Sequence, residues 1–456
     1  MSSWIRNSGF CAAVCALTVV PSLAQAGALL DYYQLAVKND QTLLAARFTR
    51  DGAEEARPTA RSALLPQLTA KATIQRNHFE VLSVNDPLNT NYKELTEAYN
   101  SKTYSLQLTQ TIFDWAAFKS LSVADSSVAQ AEADYESARI NLVTRYVTAY
   151  FAVLTAQDTL RADLEGQSAF KQQLQQQSSM FKSGLGSVTD VKNAQAAYDG
   201  SVATVVADKL NLSSAKRALS VIVGQPVETV DALRDEIPLV APNPPQIDNW
   251  VTSAKANNID VISAGFAVEA AKRKVSAYGG QRLPTLSLVG SLSRDDSDST
   301  FGYNSQTNYI GLNLNWALYS GGKVSSSIRQ AEAAQNQAAA NYVLKVQTAD
   351  QNVRNHYDGV VGGIESIKAS NNAVNSQQAS VVATTVGYKV GSRTVIDMLN
   401  SQQQLITAEK NLTQARYNYL LSLLNLKADV GQLVLADLED LDQLTVGGLS
   451  AIPVNP

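Results

Sequence analysis

Four segments of the chain alternate between apolar and polar residues, the pattern of β-strands with one apolar and one polar face. The apolar positions are Leu68, Ala70, Ala72 and Ile74 in the first segment, Leu106, Leu108 and Ile112 in the second, Leu286, Leu288 and Leu292 in the third, and Ile310, Leu312, Leu314, Trp316 and Leu318 in the fourth. Strands of about ten residues with this period are typical of outer-membrane barrels, but a half-buried sheet of a soluble protein has the same period. The alternation alone leaves both interpretations open.

The number of predicted strands decides what a membrane interpretation requires. Four strands cannot close a barrel, because bacterial barrels begin at about eight strands. Two copies of the chain would supply eight strands, and three copies would supply twelve. A barrel built from these segments is therefore shared between several chains.

Long helices are predicted by the distribution of proline, which is the strongest helix breaker. Residues 88–225 and 285–452 contain no proline and are rich in Ala, Gln and Leu. One helix is expected from about Ala117 to Lys182, which at 1.5 Å per residue is on the order of 100 Å long. A simple coiled-coil rod is the alternative, since a heptad-like row runs through Val128, Tyr135, Leu142, Ala149 and Ala156. A rod, however, does not need the strand pair that precedes each helical stretch.

The two halves of the chain resemble each other, which indicates an internal repeat. Residues 181–190 align without gaps on 388–397, and the same offset persists to Gly224 and Gly431. Each half is predicted to contain a helix, a strand pair, a very long helix, a glycine turn and a further helix. The expected segments are a first repeat at 27–224, a proline-rich linker at 225–246, a second repeat at 247–431 and a C-terminal segment at 432–456. The first repeat has its strands within 67–113 and its tip turn at 184–188. The second repeat has its strands within 285–319 and its tip turn at 390–394.

Residues 1–26 have the organisation of a cleavable secretory signal peptide. Arg6 is followed by an apolar run over 9–20 and by the small-residue site Ala24-Gln25-Ala26. The alternative of a lipoprotein anchored at Cys15 is weaker, because the residues before it lack the leucine and the small residue of a lipidation site. The sequence therefore predicts an exported protein whose mature chain contains no cysteine.

Composition excludes several classes of function. The net charge is −4 and only 17% of the residues are charged, so the chain has no basic field for the phosphates of a nucleic acid. Its two histidines, His78 and His356, are isolated in sequence, which leaves almost no material for zinc, haem or nucleophilic chemistry. No metal, cofactor, nucleic acid or catalytic residue is expected.

Several motifs together resemble the TolC family of outer-membrane efflux and secretion channels. They are the repeat, the Leu-Pro-x-Leu start of each strand pair, the glycine turns, GYKVGSRTVIDMLNSQQQL at 387–405 and QARYNYLLSLLNLKADVG at 414–431. The resemblance implies a mainly α protein with membrane β-structure, in which a homotrimer forms a twelve-stranded β-barrel, four strands per chain. This barrel would continue into a twelve-helix periplasmic α-barrel, and the 225–246 and 432–456 segments would form an equatorial belt around it.

The resemblance also implies a function and a location. Such proteins lie in the outer-membrane lipid, extend into the periplasm and catalyse no reaction. They dock with a periplasmic adaptor protein and an inner-membrane transporter of the ABC, RND or MFS type, as parts of efflux pumps or type I secretion systems. They export small molecules or polypeptides, and their helical tip opens like an iris. An alternative from another class is a soluble periplasmic coiled-coil adaptor or scaffold protein.

Residues at the two tip turns acquire roles from the same resemblance. The adaptor-facing turn residues would be Gly184, Leu185, Gly186, Ser187, Val390, Gly391 and Ser392. Links that keep the tunnel closed would join the two hairpins, with Thr189 and Asp190 on the first and Tyr388 and Arg393 on the second. A guanidinium suits such a link, since it can engage a carboxylate through two hydrogen bonds. Breaking the links would let the inner helices rotate outward.

The pore constriction is assigned to Asp397, which threefold symmetry would turn into a ring of three carboxylates that favours cations. Asn400 is the next position on the same helix face, where the family pattern has a second Asp. We therefore expect one acidic ring instead of two, with weaker cation selectivity and weaker block by multivalent cations. A simpler role for Asp190 and Asp397 is helix capping, since each follows a Ser or Thr by three residues, and both roles can coexist.

Overall fold

The structure is a computed structural model that describes residues 29–80, 96–234, 236–300 and 304–446. The expected signal peptide and the end of the C-terminal segment lie outside these ranges. The helices are α1 (Leu29–Asn39), α2 (Gln41–Glu54), α3 (Ala56–Ser62), α4 (Trp115–Lys182), α5 (Val188–Val223), α6 (Ile247–Asn257), α7 (Ile259–Gly280), α8 (Lys323–Lys389), α9 (Val395–Asp429) and α10 (Leu435–Gln443). The strands are β1 (Gln67–Glu80), β2 (Thr96–Phe113), β3 (Ala232–Leu233), β4 (Thr285–Ser297), β5 (Ser305–Asn315) and β6 (Thr445–Val446).

Two pairs of very long helices dominate the described part of the chain. α4 has 68 residues and is followed by α5 with 36, and α8 has 67 residues and is followed by α9 with 35. The predicted helix from about Ala117 to Lys182 is confirmed, because α4 begins at Trp115 and ends at Lys182. At 1.5 Å per residue, α4 and α8 are each about 100 Å long.

Local chemistry explains where these helices begin and end. Asp114 caps the start of α4, where its carboxylate accepts a hydrogen bond from the backbone N–H of Ala117 at 3.0 Å. α5 ends at Gly224, whose φ of 78° is the left-handed conformation that glycine adopts without steric cost. A Cβ at this position would lie 2.4 Å from the Cβ of Asn39, so the glycine also lets the end of α1 approach closely. Asn39 Nδ2 uses this closeness to donate to the carbonyl of Val223 at 2.9 Å.

Four strands form one antiparallel sheet in the order β1-β2-β4-β5. β2 pairs with β1 on one side and with β4 on the other, and β4 also pairs with β5. The sheet therefore joins the first strand pair of the chain to the second, although the helices α4 and α5 lie between them in sequence. Among the described strands, β1 and β5 are the two edges of this sheet.

The fourth strand is shorter than the sequence pattern predicted. β5 ends at Asn315, which pairs with Thr285, so Trp316 and Leu318 lie beyond the sheet. The next pairing partner would be Pro284, which has no backbone N–H to donate to the ladder. The prediction of strand out to 319 is wrong for this reason.

The second strand has an irregularity near its end. Thr111 pairs with Ser287 and Phe113 with Leu286, so the register shifts between them and Ile112 is left over. One extra residue on one strand of a pair is the arrangement of a β-bulge. The predicted alternation of apolar positions is therefore interrupted at Ile112.

The main apolar core lies where α4, α5, α8 and α9 pack against α1, α6, α10 and the linker. Its largest fully buried side chains include Tyr146, Tyr150, Phe151 and Tyr419. The rings of Phe151 on α4 and Tyr417 on α9 lie 5.4 Å apart, within the range of favourable aromatic pairs. These side chains attach the linker to the middle of the long helices.

Aromatic side chains from the helices hold the backbone of the proline-rich linker. We call five of these side chains the linker anchors: Tyr32, Tyr150, Trp250, Tyr357 and Tyr419. Three of them donate to one linker carbonyl each, Tyr32 to Thr229 at 3.1 Å, Trp250 to Pro244 at 2.8 Å and Tyr357 to Pro245 at 2.5 Å. The hydroxyls of Tyr150 and Tyr419 each donate to a carbonyl and accept from the N–H of the same residue, Asp231 at 3.4 and 3.2 Å and Val240 at 3.1 and 2.7 Å. Proline cannot donate a backbone hydrogen bond, so a proline-rich segment cannot satisfy itself through a regular ladder. The anchors supply the missing partners.

The linker also contacts the C-terminal segment. Within the short sheet of β3 and β6, Ala232 pairs with Val446 and Leu233 with Thr445. The backbone N–H of Arg234 extends this contact by donating to the carbonyl of Leu444 at 2.9 Å. The two segments that the family resemblance assigns to an equatorial belt are thus neighbours in one chain.

Candidate functional site

The register of the four-stranded sheet collects apolar positions on one face. One row across the sheet is Leu68, Leu108, Gly290 and Ile310, and the next is Ala70, Leu106, Leu292 and Asn308. The opposite face includes the row Lys71, Ser105, Ser293 and Thr307. In the single chain Ile310 exposes 75% of its surface and Leu312 66%, so the described residues leave much of this apolar face uncovered. An apolar and a polar face on one sheet is what a wall between lipid and water requires.

At the far end of the long helices, two glycine turns join α4 to α5 and α8 to α9. Gly184 and Gly391 have φ values of 77° and 80°. In each turn the glycine N–H donates at 3.0 Å to the carbonyl three residues earlier, and the next N–H donates at 2.9 Å to the carbonyl five residues earlier. This pair of hydrogen bonds defines the Schellman helix ending. The two turns therefore have the same backbone geometry, as their aligned sequences predicted.

Most residues assigned to adaptor docking are exposed in these turns. Leu185 and Val390 expose 78% and 74% of their surface although both are apolar. The others lie beside them, with Gly184, Ser187, Gly391 and Ser392 exposed and Gly186 half-buried. Each tip turn thus exposes one apolar side chain beside glycines and polar residues.

Asp397 and Thr394 form a complete capping box at the start of α9. The Asp397 carboxylate accepts from the Thr394 N–H and hydroxyl, both at 2.9 Å, and the Thr394 hydroxyl accepts from the Asp397 N–H at 3.2 Å. These hydrogen bonds, together with the charge of Arg393, hold the pKa of Asp397 below its usual value. The carboxylate of Asp397 is therefore ionised, and it accepts the hydrogen bonds that cap α9. Asn400 follows three residues later and is exposed, whereas Asp397 is half-buried.

The corresponding aspartate of the first hairpin is used differently. At the start of α5 the cap is the Ser187 hydroxyl, which accepts from the Thr189 N–H at 3.1 Å. Asp190 takes no part in this cap, so the capping role predicted from its spacing does not apply to it. Thr189 is exposed and Asp190 is half-buried.

Tyr388 contacts α4 rather than α5. Its hydroxyl donates to Oε1 of Gln177 at 2.9 Å and lies 3.6 Å from Sδ of Met180. Its ring packs beside a second apolar cluster, which consists of Phe170, Val395, Leu399 and Ile406. Within one chain the partner of Tyr388 is thus Gln177 and not Thr189 or Asp190. Sequence reasoning missed Gln177, because it is one of several glutamines in the run KQQLQQQ at 171–177 and nothing local distinguishes it.

Arg393 is exposed at the second tip turn. A Cβ on Gly387 would lie 2.7 Å from Cγ of Arg393, so the glycine leaves room for the arginine stem to fold back over the end of α8. Among the residues that the structure describes, no ion pair within the chain joins Arg393 to Asp190.

Both histidines have places in the fold that sequence did not indicate. His356 on α8 lies 2.6 Å through Nδ1 from Oδ2 of Asp429 at the end of α9. His78 lies in β1 opposite Ala98 of β2. Within the described ranges no group of three or more His, Cys, Asp or Glu side chains is arranged to hold a metal ion. In the same part of the chain, no helix combines the length and the apolar character needed to cross a bilayer.

Comparison with known proteins gives a family match over most of the chain. A family model described as outer membrane efflux protein matches residues 32–225 and 250–432. The outer membrane protein TolC of Vibrio cholerae is 31% identical over 432 residues, which cover 94% of this chain and 96% of that protein. The alkaline protease secretion protein AprF of Pseudomonas aeruginosa is 29% identical over 415 residues, which cover 90% of this chain and 86% of that protein.

A solved structure has the same fold. The crystal structure of the outer membrane protein VceC from Vibrio cholerae superimposes with a TM-score of 0.74 at 18% sequence identity. The superposition covers 88% of this chain and 96% of VceC. The long helices and the small sheet therefore keep their arrangement at low sequence identity.

Proposed function

The chain belongs to the outer membrane efflux protein family, and from this premise we propose that three copies assemble into one continuous export duct. Like other members of the family, the chain is an outer-membrane channel for efflux and type I secretion and not an enzyme. This function replaces the alternative of a soluble periplasmic scaffold protein.

The two edges of the sheet carry the proposal of a shared barrel. β1 and β5 each have a neighbour on one side only among the described strands. Unpaired backbone N–H and C=O groups cost several kcal/mol each in lipid, so an open edge is not stable there. The β5 edge of one copy can pair with the β1 edge of the next until the ring closes. Three copies supply twelve strands, with the apolar rows toward lipid and the polar rows toward the lumen.

The same symmetry gives a second, helical barrel. The helices α4, α5, α8 and α9 of each copy would supply twelve helices below the membrane, and we regard α4–α5 and α8–α9 as two structural repeats. The exposed apolar residues on the edges of this set support close packing with neighbouring copies; they include Val206 and Leu210 on α5 and Val343 and Leu344 on α8. The linker and the C-terminal segment would surround this barrel as an equatorial belt.

We propose that the tip of the helical barrel is the gate. Arg393 of one copy would bind Asp190 or Thr189 of the next, because no such pair forms within a chain and the Asp190 carboxylate is not used as a cap. Tyr388 would hold the second hairpin to α4 of its own chain through Gln177. Asp397 would line the constriction while it caps α9. Release of the Arg393 links would allow the α8–α9 hairpin to move outward like an iris.

The partners follow from the place of the channel in an export route. We propose that the exposed tip turns dock with a periplasmic adaptor, which connects the duct to an inner-membrane transporter. One relative is named for the secretion of an alkaline protease, so a polypeptide is one class of cargo that fits, beside small molecules. Export of the chain itself would depend on the signal peptide at 1–26.

Two measurements on one sample test the proposed function. The mature chain is purified in detergent, its mass is measured by light scattering, and single-channel conductance is recorded in a planar lipid bilayer. We expect a particle with three chains and small, stable, cation-preferring conductance steps. A folded particle with a different number of chains would contradict the shared barrel, and a folded trimer without conductance would contradict the channel.

A further inference from the structure

Two carboxylates and one ammonium group form a buried cluster that joins three of the long helices. Asp163 of α4 makes an ion pair with Lys410 of α9, and their side chains expose only 7% and 28% of their surface. Asp208 of α5 exposes 8% of its surface, and its carboxyl group lies close enough to that of Asp163 for the two to interact. We call Asp163, Asp208 and Lys410 the helix clasp.

The clasp has one more negative charge than it has cations when both carboxylates are ionised. The Oδ2 atom of Asp208 is buried and has no hydrogen-bond donor. The ammonium group of Lys410 binds Oδ2 of Asp163, and in this arrangement it leaves Oδ2 of Asp208 without a donor. A buried ionised carboxylate without a donor is costly, whereas a protonated carboxyl can itself donate a hydrogen bond. Two adjacent carboxyl groups therefore favour the state in which they share one proton.

We propose that Asp208 and Asp163 share a proton that ties α5 to α4, while Lys410 ties α4 to α9, so that the clasp is a pH-sensitive lock on the movement of the helices. Loss of the proton leaves two neighbouring carboxylates with a single ammonium between them, and their repulsion loosens all three helices. The lock acts on gating only if α9 moves on opening, and in this respect the inference rests on the proposed function.

The titration of Asp208 supports this geometry. Burial raises its pKa most, the hydrogen bond and the charge of Asp163 raise it further, and Lys410 opposes them, so that the pKa rises to about 6. The pKa of Asp208 in the folded protein lies above its ordinary value. The protonated clasp therefore stabilises the fold fully when the pH is below the ordinary pKa, and this stabilisation is lost as the pH rises through about 6. The clasp is therefore closed in mild acid and weakened at neutral pH.

Other charged groups near the clasp act mainly on one another. Next to Lys410 on α9, Glu409 faces Glu165 of α4, and burial followed by this like charge raises the pKa of Glu409. Five residues before Asp163 on α4, Asp158 accepts from the Tyr417 hydroxyl at 2.7 Å and pairs with Arg161 at 3.2 Å. Glu409 is thus the neighbouring group whose titration has to be separated from that of Asp208.

The test uses the full trimer in detergent and the variant Asp208→Asn. Its amide can donate to Asp163 at every pH and so imitates the protonated acid. We expect the Tm of the wild type to fall by a few degrees between pH 5 and pH 7.5, and this fall to be clearly smaller in Asp208→Asn. Glu409→Gln is the matched control: it removes the contribution of Glu409 and should keep the part of the fall that Asp208→Asn loses. Parallel Tm profiles for the wild type and Asp208→Asn would overturn the proposal.

A second measurement compares infrared spectra of the wild type and Asp208→Asn. In the wild type we expect a carbonyl band of a protonated carboxylic acid that disappears as the pH rises through about 6 and that is missing from Asp208→Asn. Identical carboxylic acid bands in both proteins at pH 5 would also overturn the shared proton. In planar bilayers, the open fraction of the wild type should rise several-fold from pH 5 to pH 7.5, and that of Asp208→Asn should not. A confirmed pH dependence of Tm with no conductance in any variant would refute the channel and leave the shared proton intact.

Discussion

At the scale of single residues, the linker anchors show how one hydroxyl can secure a backbone. Tyr150 is fully buried, and its hydroxyl both donates to the carbonyl of Asp231 and accepts from its N–H. Tyr150→Phe keeps the ring but leaves the buried N–H of Asp231 without an acceptor, which costs about 1–3 kcal/mol. We expect a lower midpoint of denaturant unfolding for Tyr150→Phe. Tyr342→Phe, which removes a more exposed hydroxyl from α8, should leave the midpoint unchanged, and equal losses in both variants would contradict the anchoring role.

The exposed amide of Asn400 sets a second expectation at this scale. Asn400→Asp would place a second ring of carboxylates next to Asp397 in the trimer, which strengthens the attraction of the constriction for cations. We expect several-fold tighter block of single-channel current by a trivalent cation and higher cation selectivity. Asn371→Asp, at an exposed position further along α8, adds the same charge and should leave the block unchanged. If Asn400→Asp behaves like this control, Asn400 does not face the pore.

Sequence predicted the chemistry of the tip residues better than it predicted their partners. The spacing of Thr394 and Asp397 gave a correct capping box, yet the same spacing failed at Asp190, because Ser187 satisfies the helix start by itself. The partner of Tyr388 lies on another helix, 211 residues away, where local sequence carries no signal. The assignments of Asp397, Asn400 and Arg393 to the pore and the gate stay predictions.

At the scale of helices and strands, the α8–α9 hairpin is the element whose mobility can be measured. If Arg393 links neighbouring copies, Arg393→Ser removes the links and leaves the α9 cap in place. We expect a several-fold larger single-channel conductance in planar bilayers than for the wild type. Lys389→Ser removes an exposed positive charge one turn away on α8 and should keep the conductance of the wild type. A closed, unchanged channel in Arg393→Ser would show that the gate is held elsewhere.

The elements differ in how far sequence could define them. Long proline-free stretches located α4 within two residues at its start, because a helix follows local chemistry along its whole length. Strand ends depend instead on what the neighbouring strand can offer. The sequence alternation continues to Trp316 and beyond, but β5 ends at Asn315 because the next facing residue is Pro284. The extra residue at Ile112 becomes visible only in the pairing of β2 with β4.

At the scale of the whole molecule, the proposed barrel places the apolar face of the sheet against lipid. An arginine on this face near the middle of the bilayer costs about 2–4 kcal/mol in outer-membrane barrels. We expect Ile310→Arg to reduce the amount of folded trimer recovered from outer membranes, as measured by fractionation and native gel electrophoresis. Asn313→Arg, on the opposite face of the same strand, should leave recovery near that of the wild type. Equal losses from both variants would contradict the assignment of the two faces.

The short sheet of β3 and β6 also has a consequence for the order in which the chain matures. Its two strands are separated by about half the chain, and β6 lies among the last described residues. A ribosome and a secretion machinery that deliver the chain from its N-terminus release β6 after the four barrel strands have already emerged. Contacts between distant segments form slowly because a large loop has to close first. We therefore expect the apolar strands to emerge before the linker is fixed and to need protection from aggregation until β6 has arrived.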